Sequence, residues 1–247
     1  MAMSYDTVAV LATFAGRYGI DYPLLSDEGS RVIDELGLRN QHVAEQQSHV
    51  GKPVTAKHDG IPYPGTFMID EAGVLTGKRF QQSHRIRPSG ISLLADIAGA
   101  GQVPPKTSDE FESSGVRVAG WLGSHTYRPL QVLPLQLSID IPDGLHIYGA
   151  PTPPGFAALN IALHGDGIVP LLDDPPLPAP RSLRMQGLRE TFFVYEGRME
   201  LEIPFALDRG RRGEPVEVTV TFQACSHELC HAPTNGVLRF PLVEKAL

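Results

Sequence analysis

The chain has 247 residues, 42% hydrophobic and 20% charged, with a formal net charge of -7. That length is comfortable for two domains, each burying its own core. The acidic balance gives a nucleic-acid partner no support, because "HRIRP" (84–88) and "DRGRRG" (208–213) are too short to be more than solvated loops.

No run of eighteen apolar residues occurs, so no membrane-spanning helix is expected. The opening "MAMSYDTVAVLATFAGRYG" has neither a basic n-region nor a clear cleavage site, and reads as an amphipathic helix rather than a signal peptide. As written, the chain is expected to stay in the cytoplasm, where a reducing environment disfavours a stable structural disulfide.

Val8, Leu11, Ala12, Ala15 and Tyr18 recur at the spacing of one helix face over 7–18, and Gly19 is the expected C-cap. "YPLLSD" is extended, and Ser26 or Asp27 then caps a second helix through "EGSRVIDELGL". Residues 39–62 are polar and aperiodic, a long surface loop. "YPGTFMIDEAGVLTGKRF" reads as two strands around a turn at "DEAG", with Asp70 capping backbone donors, and "SGISLLADIAGA" (89–100) as a helix. Residues 1–100 thus form an α/β half with too few strands for an independent sheet.

"GAGQVPPKTSDEFESSG" is polar, with Gly and Pro first and acidic residues later, and residues 101–115 are read as a linker. Beyond it the periodicity changes. "LPLQLSIDIPDGLHIYG", "ALNIALHG", "GRMELEIPFAL", "EPVEVTVTFQA" and "GVLRFPLV" alternate apolar and polar residues, with a turn at Pro142–Asp143–Gly144. Short alternating strands at this spacing predict an antiparallel sandwich over 116–247. The proline cluster "DDPPLPAP" (173–180) is an extended connection. Trp121 is read as a packing residue, and His146 and Tyr148 as packing residues on opposite faces of their strand.

"SYDTVAVLATFAGRYGIDYPLLSDEGSRVIDELGL" followed by "GIPYPGTFMIDEAGVL" resembles the C-terminal portion of a peroxiredoxin, an AhpC/TSA-type redoxin of thioredoxin fold, over roughly residues 3–98. The resemblance implies a peroxidatic cysteine on a helix upstream of this stretch and an arginine just before the "TF" strand. Here no cysteine precedes Cys225, and Pro64 stands where the arginine belongs. No other residue replaces a thiolate nucleophile, so this half is expected to be a truncated redoxin domain without antioxidant peroxidase activity.

The two cysteines, Cys225 and Cys230, lie in "TFQACSHELCHAPTNG" with His227 and His231. In "VEVTVTFQAC", Val216, Val218, Val220 and Phe222 form the buried row, which puts Cys225 on the opposite, outward row. A short turn then brings Cys230 alongside. As a staple the bond would do little, since closing about six residues removes only ~2 kcal/mol of unfolded-chain entropy, against ~4–5 for a hundred. Protonated His227 and His231 would support a thiolate and Glu228 would oppose it. A zinc or copper site from Cys225, His227, Cys230 and His231, a stretched haem attachment "CSHELCH", and a purely structural pair stay open as rivals at this point.

The phrases "IPDGLHIYG" and "VTVTFQACSHELCHAPTNGVLRFPL" resemble the N-terminal domain of the disulfide-interchange protein DsbD, the DsbC-like corrector domain, over about 116–245. The family pattern is "YQ-x-C", a short gap, "C-x-P-P" and a last strand. Here Phe222 stands for the tyrosine and Ala232 for the first proline. The resemblance implies an immunoglobulin-like sandwich whose cysteines shuttle between dithiol and disulfide, exchanging electrons with partner thiol proteins outside the cytoplasm.

The expected fold is therefore α+β in two domains: a partial thioredoxin-like half, then an immunoglobulin-like antiparallel β-sandwich. The expected function is thiol–disulfide exchange through Cys225 and Cys230, with Cys225 attacking and His227 and His231 in support, no cofactor, no bound metal, and other thiol or disulfide proteins as partners. The alternatives are a non-catalytic protein-binding module and an antioxidant fragment lacking its peroxidatic cysteine.

Overall fold

The computed structural model describes residues 1–44, 53–55, 58–80, 86–90, 92–93, 105–184, 190–209, 211–226 and 228–245. The chain is mostly β, at 47% strand and 10% helix, and divides into two compact units, Met1–Ile86 and Arg87–Leu247.

In the first unit, β1 (Ala2–Ser4) pairs in parallel with β2 (Leu24–Ser26) across α1 (Val8–Tyr18). The sequence dictates both ends of α1. The Thr7 hydroxyl accepts the Val10 N–H, and Gly19 turns left-handed at φ 60° while its N–H bonds the Ala15 carbonyl. Of the predicted apolar face only Leu11 is buried; Val8 and Tyr18 stand 70% and 60% exposed. The unit's ladders are two-stranded among the described residues, too narrow to cover a whole helix face.

α2 (Arg31–Glu35) is shorter than expected, yet Asp27 caps it: its carboxylate accepts the Val32 and Ile33 N–H groups at 3.0 and 2.9 Å. The 39–62 stretch falls partly outside the described residues. Its ends are tied together, Asn40 N–H to the Ile61 carbonyl and Tyr63 N–H to the Leu38 carbonyl. The expected hairpin is present as β3 (Gly65–Ile69) and β4 (Leu75–Phe80), with the Asp70 carboxylate accepting from Ala72 and Val74 N–H. The helix expected at 89–100 lies for the most part outside the described residues.

The second unit runs β5 (Arg87–Pro88), β6 (Thr107–Ser113), β7 (Val116–Leu122), β8 (Thr126–Tyr127), β9 (Gln131–Ile141), β10 (His146–Tyr148), β11 (Asn160–His164) and β12 (Ile168–Pro170). It continues with β13 (Arg181–Arg184), β14 (Thr191–Tyr195), β15 (Gly197–Leu207), β16 (Val216–Phe222), β17 (Ala224–Cys225), β18 (Thr234–Phe240) and β19 (Val243–Glu244). One sheet has the order β12-β15-β9-β7-β6, with β5 also on β9. A second has the order β11-β16-β18 and a third β13-β14-β10-β17. The first two share one core. Val118, Leu137 and Leu201 of the large sheet pack with Val218, Val220 and Leu238 of the other. Burying such a face is the main favourable term in folding.

The stretch read as a linker is corrected here: Thr107–Ser113 forms a full edge strand on β7. Its acidic residues mask the pattern, because Glu110 and Glu112 point to solvent while Phe111 turns inward against the core. Gly236 on β18 makes room for that ring, since a Cβ there would sit 2.0 Å from Phe111.

The turn at Pro142–Gly144 is as expected, with Gly144 at φ 85° and the Leu145 N–H on the Pro142 carbonyl. It does not close a hairpin, however. β9 belongs to the large sheet and β10 to the four-stranded one, so the turn passes the chain between sheets.

Candidate functional site

β16 alternates as its sequence demands: Val216, Val218, Val220 and Phe222 are buried, and Glu217, Thr219 and Thr221 are half-exposed. At Gln223 the alternation stops, because β16 belongs to the β11-β16-β18 sheet and β17 to the β13-β14-β10-β17 sheet. Residues 222–225 are therefore buried consecutively, with Cys225 at 0% exposure. This overturns the outward placement of Cys225. Strand parity holds only within one sheet, and the chain changes sheets two residues before the cysteine.

Cys230 is the exposed residue of the pair. Ser226 N–H donates to the Leu229 carbonyl and His231 N–H to the Ala224 carbonyl, so Cys225 and Cys230 face each other between two backbone bonds of a tight hairpin. The Ser226 hydroxyl holds the turn by accepting Glu228 and Leu229 N–H groups at 3.1 and 3.0 Å. The two Cα atoms are 4.1 Å apart, and the sulfurs are bonded to each other. Cys230 is exposed, beside an exposed Leu229.

Residues opposite one another in an antiparallel ladder share a face. Cys225 pairs with His146 on β10 and with Cys230, so His146, Cys225 and Cys230 form one row across three strands. Tyr148, two residues along β10, lies on that same face, which corrects the reading of His146 and Tyr148 as opposed. Their rings meet edge-on at 5.4 Å. The Tyr148 hydroxyl reaches 3.6 Å from Cys230 Sγ. A disulfide sulfur carries no proton, so here the hydroxyl donates. Burial of the Tyr148 ring pushes its pKa above the usual value, which keeps that proton in place at neutral pH.

Cys225 packs in an apolar cluster with Tyr148, Phe192 and Val194, against which half-buried Phe156 and Leu183 close. The rings of Phe156, Tyr148 and Phe192 contact one another at 5.0–5.5 Å. Buried Gln223 spans this region: its Oε1 accepts the Ala157 N–H at 3.0 Å, and its Nε2 donates to the His231 carbonyl at 3.0 Å.

His231 contributes its backbone to the hairpin, and His227 lies outside the described residues. Among the described residues, no group of three or more His, Cys, Asp or Glu side chains is placed to hold a metal ion. Trp121 is half-buried on β7, opposite Gln136. Tyr148, Phe156 and Gln223 were missed as site residues. Only the "YQ-x-C" pattern pointed at Gln223; the other two come to the sulfurs through strand pairing and a loop.

Residues 125–241 match the family described as the N-terminal domain of the thiol:disulfide interchange protein DsbD. Residues 1–78 match the AhpC/TSA family. The chain joins a redoxin-like segment to a DsbD-like one. The DsbD match falls inside the segment that carried the second resemblance, and the AhpC/TSA match overlaps the segment that carried the first. No curated protein sequence matches the chain.

The solved structures similar to this chain include two N-terminal domains. One is the N-terminal periplasmic domain of ScsB from Proteus mirabilis, at 13% identity and TM-score 0.38, covering 53% of this chain and 49% of that one. The other is the N-terminal domain of Neisseria meningitidis DsbD in its reduced form, at 19% identity and TM-score 0.30, covering 43% of this chain and 75% of that one. The chain thus spans about half the length of the ScsB structure it matches. Together the family matches and the bonded cysteine pair point to a function related to thiol–disulfide exchange.

Proposed function

We propose that the DsbD-like unit, an immunoglobulin-type sandwich, is a thiol–disulfide relay in which Cys230 is the sulfur that meets partners and Cys225 is the buried resolving sulfur. The asymmetry of the pair carries this reading: Cys230 is an exposed residue at a hairpin tip, and Cys225 is sealed at 0% exposure.

A partner thiolate attacks Cys230 Sγ from the side away from Cys225. The Cys225–Cys230 bond breaks, its electron pair leaves on Cys225, and a mixed disulfide forms between the partner and Cys230. The partner's second thiolate then attacks its own sulfur in that bond and expels Cys230. Two electrons have passed to this chain, the partner is oxidised to a disulfide, and solvent protonates the two thiolates. Run backwards onto an oxidised partner, the same steps pass the electrons on.

Attack on Cys225 would have to come from the side opposite Cys230, and apolar side chains fill its surroundings. Tyr148 supports Cys230 in the reduced state, because a hydroxyl that keeps its proton donates to a thiolate and lowers the thiol's pKa. A supporting role for the His227 and His231 side chains, which the sequence suggested, is part of this proposal.

The redox claim is tested by equilibrating the protein with glutathione buffers of graded ratio and counting free thiols by mass. Interconversion of dithiol and disulfide within the range set by glutathione supports the relay. A pair that stays oxidised or stays reduced across the series eliminates it.

A further inference from the structure

We infer that Gln223 is a positioning residue that controls which sulfur of the pair can be attacked, an inference that rests on the relay reading. Gln223 sits where the chain leaves β16 for β17, and the residue is buried at 7% exposure. Its amide makes one bond to each of two separate segments. Oε1 holds the Ala157 N–H, next to Phe156, whose ring packs over the cluster that contains Cys225. Nε2 holds the His231 carbonyl, one residue beyond Cys230.

A buried amide is satisfied only when both halves find partners, and here those partners belong to two segments, one carrying Phe156 and the other Cys230. The amide therefore clamps the Phe156 segment and the Cys230 strand to a common point. Only while both bonds hold is Cys225 sealed and attack confined to Cys230. Losing the clamp frees Phe156 to swing away and opens a second route of attack, at Cys225.

The test uses the full chain and a small reductant, so that no protein partner is needed. Tris(2-carboxyethyl)phosphine attacks a sulfur and breaks the S–S bond. Water then supplies the oxygen of the phosphine oxide and the protons of two thiols, so phosphorus loses the two electrons the disulfide gains. Gln223→Ala is expected to be reduced roughly tenfold faster than the parent chain, the equivalent of about 1.4 kcal/mol in the barrier. Val218→Ala, which loosens the core away from the sulfurs, serves as the stability control and is expected to keep the parent rate despite a lower Tm.

Gln223→Glu separates positioning from general loosening. As a carboxylate it still accepts from Ala157 but repels the His231 carbonyl. Once protonated, it again offers an acceptor and a donor in the shape of glutamine. Its rate relative to the parent is expected to be raised at about pH 8 and to return toward one at about pH 4. An unchanged rate in Gln223→Ala, equal acceleration in Val218→Ala, or a pH-independent ratio in Gln223→Glu overturns the inference while leaving the relay intact. A parent disulfide that the phosphine cannot reduce overturns both.

Discussion

The Tyr148 hydroxyl lies 3.6 Å from Cys230 Sγ, at the end of a ring that is itself fully buried. A polar tip on an apolar body delivers a donor to the exposed sulfur while the ring fills the cluster beneath the buried one. Tyr148→Phe removes the donor and leaves the packing. The pKa of the Cys230 thiol in the reduced protein is then expected to rise, as when a thiolate loses a hydrogen bond. Thiolate absorbance followed against pH measures this, and an unchanged titration would remove Tyr148 from the site.

Burial also raises the pKa of Tyr195, and of Tyr127, where the Glu244 carboxylate adds to the effect, as it raises that of Tyr148. A phenol with a higher pKa in the folded state holds its proton where the unfolded chain has already released it. The stabilisation is complete below the unfolded value of about 10 and is lost as pH rises above it. Denaturant midpoints are therefore expected to be insensitive to these groups below about pH 9 and to fall steadily above about pH 10. A midpoint that climbs through that range would contradict the burial of these rings.

Phe111 and Gly236 fit each other across the edge of the second unit, where a Cβ on Gly236 would sit 2.0 Å from the ring. Gly236→Ala is expected to cost about 1–3 kcal/mol through overpacking. In a Phe111→Ala background the same change is expected to cost much less, because the clash is gone. Urea titration of the four proteins closes this cycle, and additive effects would show that the ring and the glycine are not in contact.

Leu229 stands 59% exposed beside the exposed sulfur, an apolar contact point at the hairpin tip. Leu229→Glu is expected to slow exchange with a reduced thioredoxin-type protein about tenfold while leaving reduction by dithiothreitol within about twofold. Stopped-flow thiol assays with both reductants check this. Equal slowing of the two would place the effect on the disulfide itself rather than on docking.

The sequence exposed what is periodic and local. The alternation of β16, the Gly19 cap of α1, the Asp70 turn and the closeness of the two cysteines all follow from neighbouring residues. What escaped it depends on where the chain goes next. Glu110 and Glu112 made an edge strand look like a linker, because an edge needs only one apolar row. The exposure of the two sulfurs was read the wrong way round, because nothing in "FQAC" announces that the backbone changes sheets at Gln223. Tyr148 and Phe156 reach the sulfurs from strands and loops more than sixty residues away, a proximity that only tertiary pairing creates.

The assignment of roles to the two sulfurs can be measured directly with the single-cysteine variants Cys225→Ser and Cys230→Ser, each reduced and then offered an oxidised thioredoxin-type protein. Mixed disulfides are followed by mass. Cys225→Ser, which keeps the exposed Cys230, is expected to trap its partner rapidly, and Cys230→Ser at least ten times more slowly, because its sulfur must first be uncovered. Faster trapping through Cys225, or none through either, would contradict the account.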